Sequence, residues 1–242
     1  MFIQRLVLVG ICFISLFSYA NNGVIIVSAM QDDGLTEISK RVMAEAYSRI
    51  GYEMRVVECP GNRALHFSNN GKVDGELFRI GGIDSVFENL IQVAVPINHF
   101  ELVSYTSSAA FKMERWEDLK LYRVGIQLGI IYVERYTEGL QTKSYLSNKR
   151  LFQLLDRKRI DVAILDRVNG MKTLTEMGEL STVIPGDLVL TAEPLYHYVH
   201  KKNRHLVPEL TKVLNQLEKS GRIVQIRNEY ISQLKEAALT KP

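Results

Sequence analysis

Past its first twenty residues the chain alternates short β-branched runs with longer segments of helical periodicity. Val24 to Met30 (VIIVSAM) is bounded by Gly23 and by Gln31-Asp32-Asp33-Gly34, which predicts a buried first strand and a loop. Leu35, Ile38, Val42, Ala46 and Ile50 then recur on one helical face until Gly51, and Tyr52 to Cys59 alternates as a second strand. Pro60-Gly61 leads into a short helix near Asn62 to Phe67, the turn Asn69-Asn70-Gly71 and a strand from Val73 to Phe78. Leu90 to Tyr105 is long and β-rich but contains Pro96, which argues for an extended segment passing between two bodies rather than one central strand. Further along, the pattern predicts a strand over Leu119 to Gln127, a helix starting near Ile131, a helix from about Asn148 to Arg157 and a strand from Val162 to Leu165. A second extended, aromatic-rich segment, Leu195 to His200, reads as the return crossing. The tail is helical, with Leu206, Leu210, Val213, Leu214 and Leu217 on one face, a break at Ser220-Gly221, and a new run at Ile223, Ile226 and Tyr230.

One helix-turn-strand unit is written twice. At a constant offset of 87 positions (150 minus 63), Arg63 falls on Arg150, Leu65 on Phe152, Phe67 on Leu154, Lys72 on Arg159, Asp74 on Asp161 and Arg79 on Asp166. If each unit belongs to its own lobe of a parallel α/β fold, Arg79 and Asp166 lie at strand ends, where such sheets hold ligands. One lobe then offers a cation and the other an anion, which suits a small zwitterion. Solvated charges at strand ends are the plainer reading of both residues. Asp74 and Asp161 read as turn hydrogen-bonders.

The N-terminus adds a location. Arg5, the apolar run Leu6 to Phe17, and small residues at Ser18 and Ala20 make a secretory signal over residues 1–20, too short to stay as a membrane anchor. The chain carries 30 basic and 27 acidic side chains, and this segment removes only Arg5 from that near-neutral balance. With 46% hydrophobic residues the chain has material for one large or two modest domains. Of the two cysteines only Cys59 lies beyond the signal, so no internal disulfide forms and the thiol reads as buried and inert. After export, the basic clusters Arg157-Lys158-Arg159 and Lys201-Lys202-Arg204 read as solvated faces rather than nucleic-acid sites. No phosphate loop, no Gly-x-Ser-x-Gly elbow and no metal spacing is present, since His197 and His200, three apart on a strand, face opposite sides.

Several stretches in order, VIIVSAM, NNGKVDG, WEDLKLYRVGIQLGI, RKRIDVAILD and PLYHYVHKKNRHLVPELTKVLNQLEKSGRIVQI, carry a resemblance over the whole chain beyond the signal. It resembles the bacterial periplasmic solute-binding proteins of the type II fold, in the branch of polar amino acid binders, extracellular solute-binding family 3. The resemblance implies an α/β protein of two lobes, each a mixed sheet flanked by helices. Residues 21–97 plus 198–242 would form the first lobe and 98–197 the second, with two crossovers forming a hinge. It also implies that the segment through Gln127, Gly129 and Ile130 presents helix N-terminal amides to a ligand carboxylate, and that Asp166 accepts a ligand ammonium. The family's carboxylate-binding arginine, in a Thr-x-x-Arg motif, has no counterpart in Asp84-Ser85-Val86-Phe87-Glu88, so Arg79 is its expected replacement. Arg63 near the cleft, and Phe78 and Tyr105 as apolar wall, complete the candidate ligand site, with ordinary core packing the plainer reading of the two aromatics and a surface helix position an equal reading of Arg63.

The function so implied is capture of a small polar, amino-acid-like or carboxylate metabolite by a monomer, without chemistry, cofactor or metal. The partners implied are that ligand and a transporter permease or membrane sensor. The alternatives are an exported enzyme of the cyclohexadienyl dehydratase kind and a ligand-free interaction module.

Overall fold

The computed structural model describes residues 23–108, 111, 113–178 and 181–239, so the expected signal segment lies outside the described residues. Eight strands join in one hydrogen-bonded sheet of order β2-β1-β3-β8-β4-β7-β5-β6. The first half is β1 (Gly23–Met30), α1 (Gly34–Arg49), β2 (Tyr52–Cys59), α2 (Gly61–Asn69) and β3 (Gly75–Ile80). Both β2 and β3 pair parallel to β1. The second half is β5 (Val124–Gln127), α3 (Ile131–Tyr136), β6 (Thr142–Tyr145), α4 (Asn148–Asp156), β7 (Val162–Asp166) and α5 (Arg167–Met177), with β6 and β7 parallel to β5.

Two long antiparallel strands carry the sheet from one half to the other. β4 (Leu90–Thr106) and β8 (Ile184–His200) are 17 residues each and pair from Leu90↔His200 to Thr106↔Ile184. β3 flanks β8 no further than Ile80↔Leu195, and β7 flanks β4 only from Leu102↔Asp166 onward. At His99, Phe100 and Glu101, opposite Pro194, Glu193 and Ala192, the sheet is therefore two strands wide. Pro96 does not keep β4 out of the sheet centre, as its sequence suggests. The ladder shifts register on both sides of Pro96, so the missing N–H falls at an irregularity.

The repeat is structural. α2 and α4 are each nine residues and start at Gly61 and Asn148, again 87 apart (148 minus 61). Gly71 and Lys158 share a left-handed turn conformation, with φ of 70° and 53°. Asp74 and Asp161 also share a task larger than a turn. Asp74 Oδ2 accepts from Ile26 N at 2.8 Å, and Asp161 Oδ2 from Arg123 N at 2.8 Å, while Ile26 O and Arg123 O accept the aspartates' own N–H groups. Each aspartate thereby fastens its strand to the parallel neighbour.

Three elements depart from the sequence reading. Trp116–Leu121 is a 3-10 turn, so β5 starts only at Val124. β6 is polar and largely exposed, an edge strand without apolar alternation. α5 follows Asp166 directly, because the Asp166 side chain accepts from Asn169 N and caps the helix.

After β8 the chain returns to the first half as α6 (Val207–Lys219) and α7 (Arg222–Leu239). Arg222 meets Glu45 at 2.9 Å, buried Arg227 donates to Asn98 Oδ1 and His99 O, and Arg41 lies over the Tyr230 ring. The far end of α7 reaches the second half, where Leu234 O accepts from Thr175 Oγ1 at 3.1 Å. No helix among the described residues is long and apolar enough to cross a membrane.

Candidate functional site

The C-terminal ends of the parallel strands of both halves face one cleft of about 560 Å³. The first half contributes Met30, Gln31 and Asp32 after β1, and Pro60, Gly61 and Asn62 after β2. The second contributes Gln127 to Ile130 after β5, Leu146 to Lys149 after β6, and Lys172, Thr173 and Glu176 of α5. A hollow of about 680 Å³ beside Phe111 and Pro185 is larger, but its walls come from the second-half end of the β4–β8 ladder and the segment after β4. Strand ends on either side of a topological break are where open α/β sheets take ligands.

The expected site residues fall into three groups. Gln127, Gly129 and Ile130 line the cleft. The Gly129 N–H is already held by Glu134 Oε1 at 2.8 Å, a partner on α3 itself that the sequence reading lacked. Arg63 is exposed in the first turn of α2, next to cleft-lining Asn62. Phe78 and Tyr105 belong to the core instead of the wall. Phe78 packs in the large apolar cluster, and fully buried Tyr105 rests on Phe152 and donates to Arg167 O. Gly170 leaves the space that the Tyr105 ring fills.

Arg79 and Asp166 sit at the ends of β3 and β7, each already engaged. Residues three apart on a regular strand face opposite sides, but a register shift between Glu76 and Arg79 brings both to one side. Arg79 Nε donates to Glu76 Oε1 at 2.7 Å, and Nη2 to Gly61 O at 3.0 Å on the cleft floor. Glu76 is fully buried and also accepts from Ser28 and Ser68 at 2.6 and 3.0 Å. Burial pushes its carboxyl up, while Arg79 and the two hydroxyls pull it back. The stretch expected to lack an arginine is a surface turn, with Val86 75% exposed.

Asp166 is 2% exposed. Its two oxygens accept from Glu101 N and Asn169 N, both at 3.0 Å. Burial pushes the carboxyl up to about 7, against the pull of those N–H groups and of Arg227; nearby Asp33 pushes it further up. Asp33 caps α1 and is raised by burial as well, with Asn169, Leu35 N, Arg79 and Lys172 lowering it. Asn169 joins the two capping carboxylates across the halves. Its Nδ2 donates to Asp33 Oδ1 at 3.0 Å, and its Oδ1 accepts from Gly34 N at 2.6 Å. This bridge, absent from any motif in the sequence, forms because α1 and α5 meet N-terminus to N-terminus. Among the described residues no cluster of three or more metal-ligating side chains occurs.

Comparison with solved structures matches this arrangement to a mutant of ArgBP from T. maritima, with a TM-score of 0.68 at 19% identity over 87% of this chain and 96% of that one. The chain has the type II periplasmic-binding-protein fold. A histidine kinase sensor domain with similarity to periplasmic binding proteins shares the fold at TM-score 0.71 and 16% identity, over 86% of this chain and 95% of that domain. So does the ancestral amino acid-binding protein AncCDT-1, a precursor of cyclohexadienyl dehydratase, at 0.66 and 16%, over 86% and 96%. No protein-family model matches the sequence, and no curated protein matches it. In type II terms the two-stranded waist at His99–Glu101 lies between the halves, and the cleft opens between their strand ends.

Proposed function

We propose that this protein captures a small amino-acid-like solute in the cleft between its halves, closes on it by bending at the waist of β4 and β8, and releases it unchanged. The observation that carries this reading is a cleft walled by strand ends of both halves, so that a single molecule touches both and favours the closed state. Similar structures include an ancestral arginine-binding protein bound to arginine, the substrate-binding protein of an amino acid transporter and a kinase sensor domain. The closed form would engage a transporter permease or a membrane sensor.

Thermal unfolding of the exported chain with a panel of amino acids, organic acids and polyamines tests this. A ligand at about 100 times its dissociation constant adds ~2.7 kcal/mol, a rise of roughly 5–10 °C in Tm for a chain of this size. No rise across the panel refutes the proposal. Likeness to a dehydratase precursor raises catalysis as a second reading. Asp166, with its raised carboxyl, is the candidate acid, but it lies 2% exposed with both oxygens occupied, out of reach of a solute. Turnover of prephenate or arogenate would overturn the binding-only reading.

A further inference from the structure

The charges around the cleft are largely cancelled by the protein itself. Arg79 spends two of its three nitrogens on Glu76 and Gly61 O. Lys172 sits 3.1 Å from Glu176 and donates to Asp32 O. The Gly129 amide is held by Glu134, and Asp33 and Asp166 below the floor hold Asn169. What these pairs leave to a guest is the side-chain amides of Gln31, Asn62, Gln127 and Asn148 and, at the exposed edge, one charge of each sign, Asp32 and Lys149, which sum to zero. A compact dianion or dication entering this space would shed its water and meet no buried countercharge free to replace it.

The mouth is apolar in an unusual way. Leu128 is 55% and Leu146 85% exposed, and both line the cleft. Leu128 N donates to Tyr145 O at 2.8 Å and so extends the Gln127↔Tyr145 register by one residue, setting Leu128 beside Leu146 as a continuous rim. Ile130 and Met30, each 9% exposed, carry the same surface inward. A volume of about 560 Å³ falls in the range of pockets that enclose molecules well beyond a bare ammonium-carboxylate head.

Resting on the solute-binding reading above, we propose that the solute has no net charge and carries a large apolar or aromatic body, with Leu128 and Leu146 folding over that body as the halves close. The neutral amides hold its polar end. Selection among solutes then comes from the leucine rim rather than from a salt bridge.

Titration calorimetry of the exported chain with L-phenylalanine, L-alanine, L-glutamate and L-lysine tests this. Phenylalanine is expected to bind at least ~10-fold more tightly than each of the others, since a few buried methylenes account for a factor of that size. The double variant L128S/L146S, at two exposed positions, is expected to keep its melting temperature and lose at least ~10-fold in phenylalanine affinity. Alanine, glutamate or lysine binding as tightly as phenylalanine, or an unchanged double variant, overturns this inference and leaves solute binding standing. No heat with any of the four overturns this inference, and solute binding itself falls only if the wider panel of amino acids, organic acids and polyamines also gives no stabilisation.

Discussion

Asn169→Ala tests how much of the contact between the two halves depends on one side chain that they share. The substitution removes the bonds to Gly34 N (2.6 Å) and Asp33 Oδ1 (3.0 Å) and keeps the backbone N–H that satisfies Asp166. Gly34 N and the Asp33 carboxylate are buried, and a Cβ placed on Gly34 would lie 3.1 Å from Val168, so little room exists for water to replace the amide. Asp33 Oδ1 keeps its bond from Leu35 N, so Gly34 N is the buried group left without its partner; at ~1–3 kcal/mol for such a group the loss is about 2 kcal/mol, or a ~30-fold shift toward states in which α1 and α5 part. Hydrogen exchange at the Gly34 amide should accelerate by about that factor. Small-angle scattering without ligand should show a larger radius of gyration than the parent, and apparent ligand affinity should fall with the closed fraction. Unchanged exchange at Gly34 together with a stability change below ~0.5 kcal/mol would refute the argument.

Three further expectations follow. His197 is fully buried between Tyr47 Oη (2.9 Å) and Leu77 O (3.1 Å), and burial pushes it down to about 4. The unfolded chain takes up its proton near pH ~6.5, so this stability is present above that value and lost as pH falls through the folded one. The parent should lose ~2.5 kcal/mol more than His197→Gln between about pH 7.5 and pH 4.5 in urea unfolding, and equal losses would remove His197 from the account. Lys158 holds φ at 53° where its repeat partner is Gly71, so Lys158→Gly should gain ~0.5–1 kcal/mol, and a loss of stability would show that its side chain matters more than its backbone. Asp161→Ala strips partners from the Arg123 backbone and guanidinium and should cost ~1–2 kcal/mol without changing exchange at Gly34, the converse of Asn169→Ala. Hydrogen bonding to Arg123 holds the Asp161 carboxyl low, so what it supplies is present above about pH 4 and fades as pH falls through its folded value.

Where local sequence determines local structure, the chain was legible. β1, β2 and β7 are β-branched runs between turn residues, and the doubled helix-turn-strand unit survives to the residue, down to the matching left-handed turn. β6 was hidden because an exposed edge strand has no apolar face to alternate. α5 was hidden because its cap, Asp166, looked like the end of a strand with a ligand to hold. The cleft loops after β5 were foreseen through family resemblance. The use of Arg79 was not, since its meeting with Glu76 depends on a register shift against β8, a strand more than a hundred residues away. Phe78 and Tyr105 show the same limit: an aromatic beside a strand end reads equally as wall or core until the opposing helix is placed.

α7 leaves the first half, where Arg222 and Arg227 pin it, and ends against Thr175 in the second. Under the proposed closure it would act as a check strap on a door: rotation about the waist would tighten or slacken this tether, so that the C-terminal turns set how far the jaws swing apart. Trimming them would widen the resting gape and leave both jaws intact.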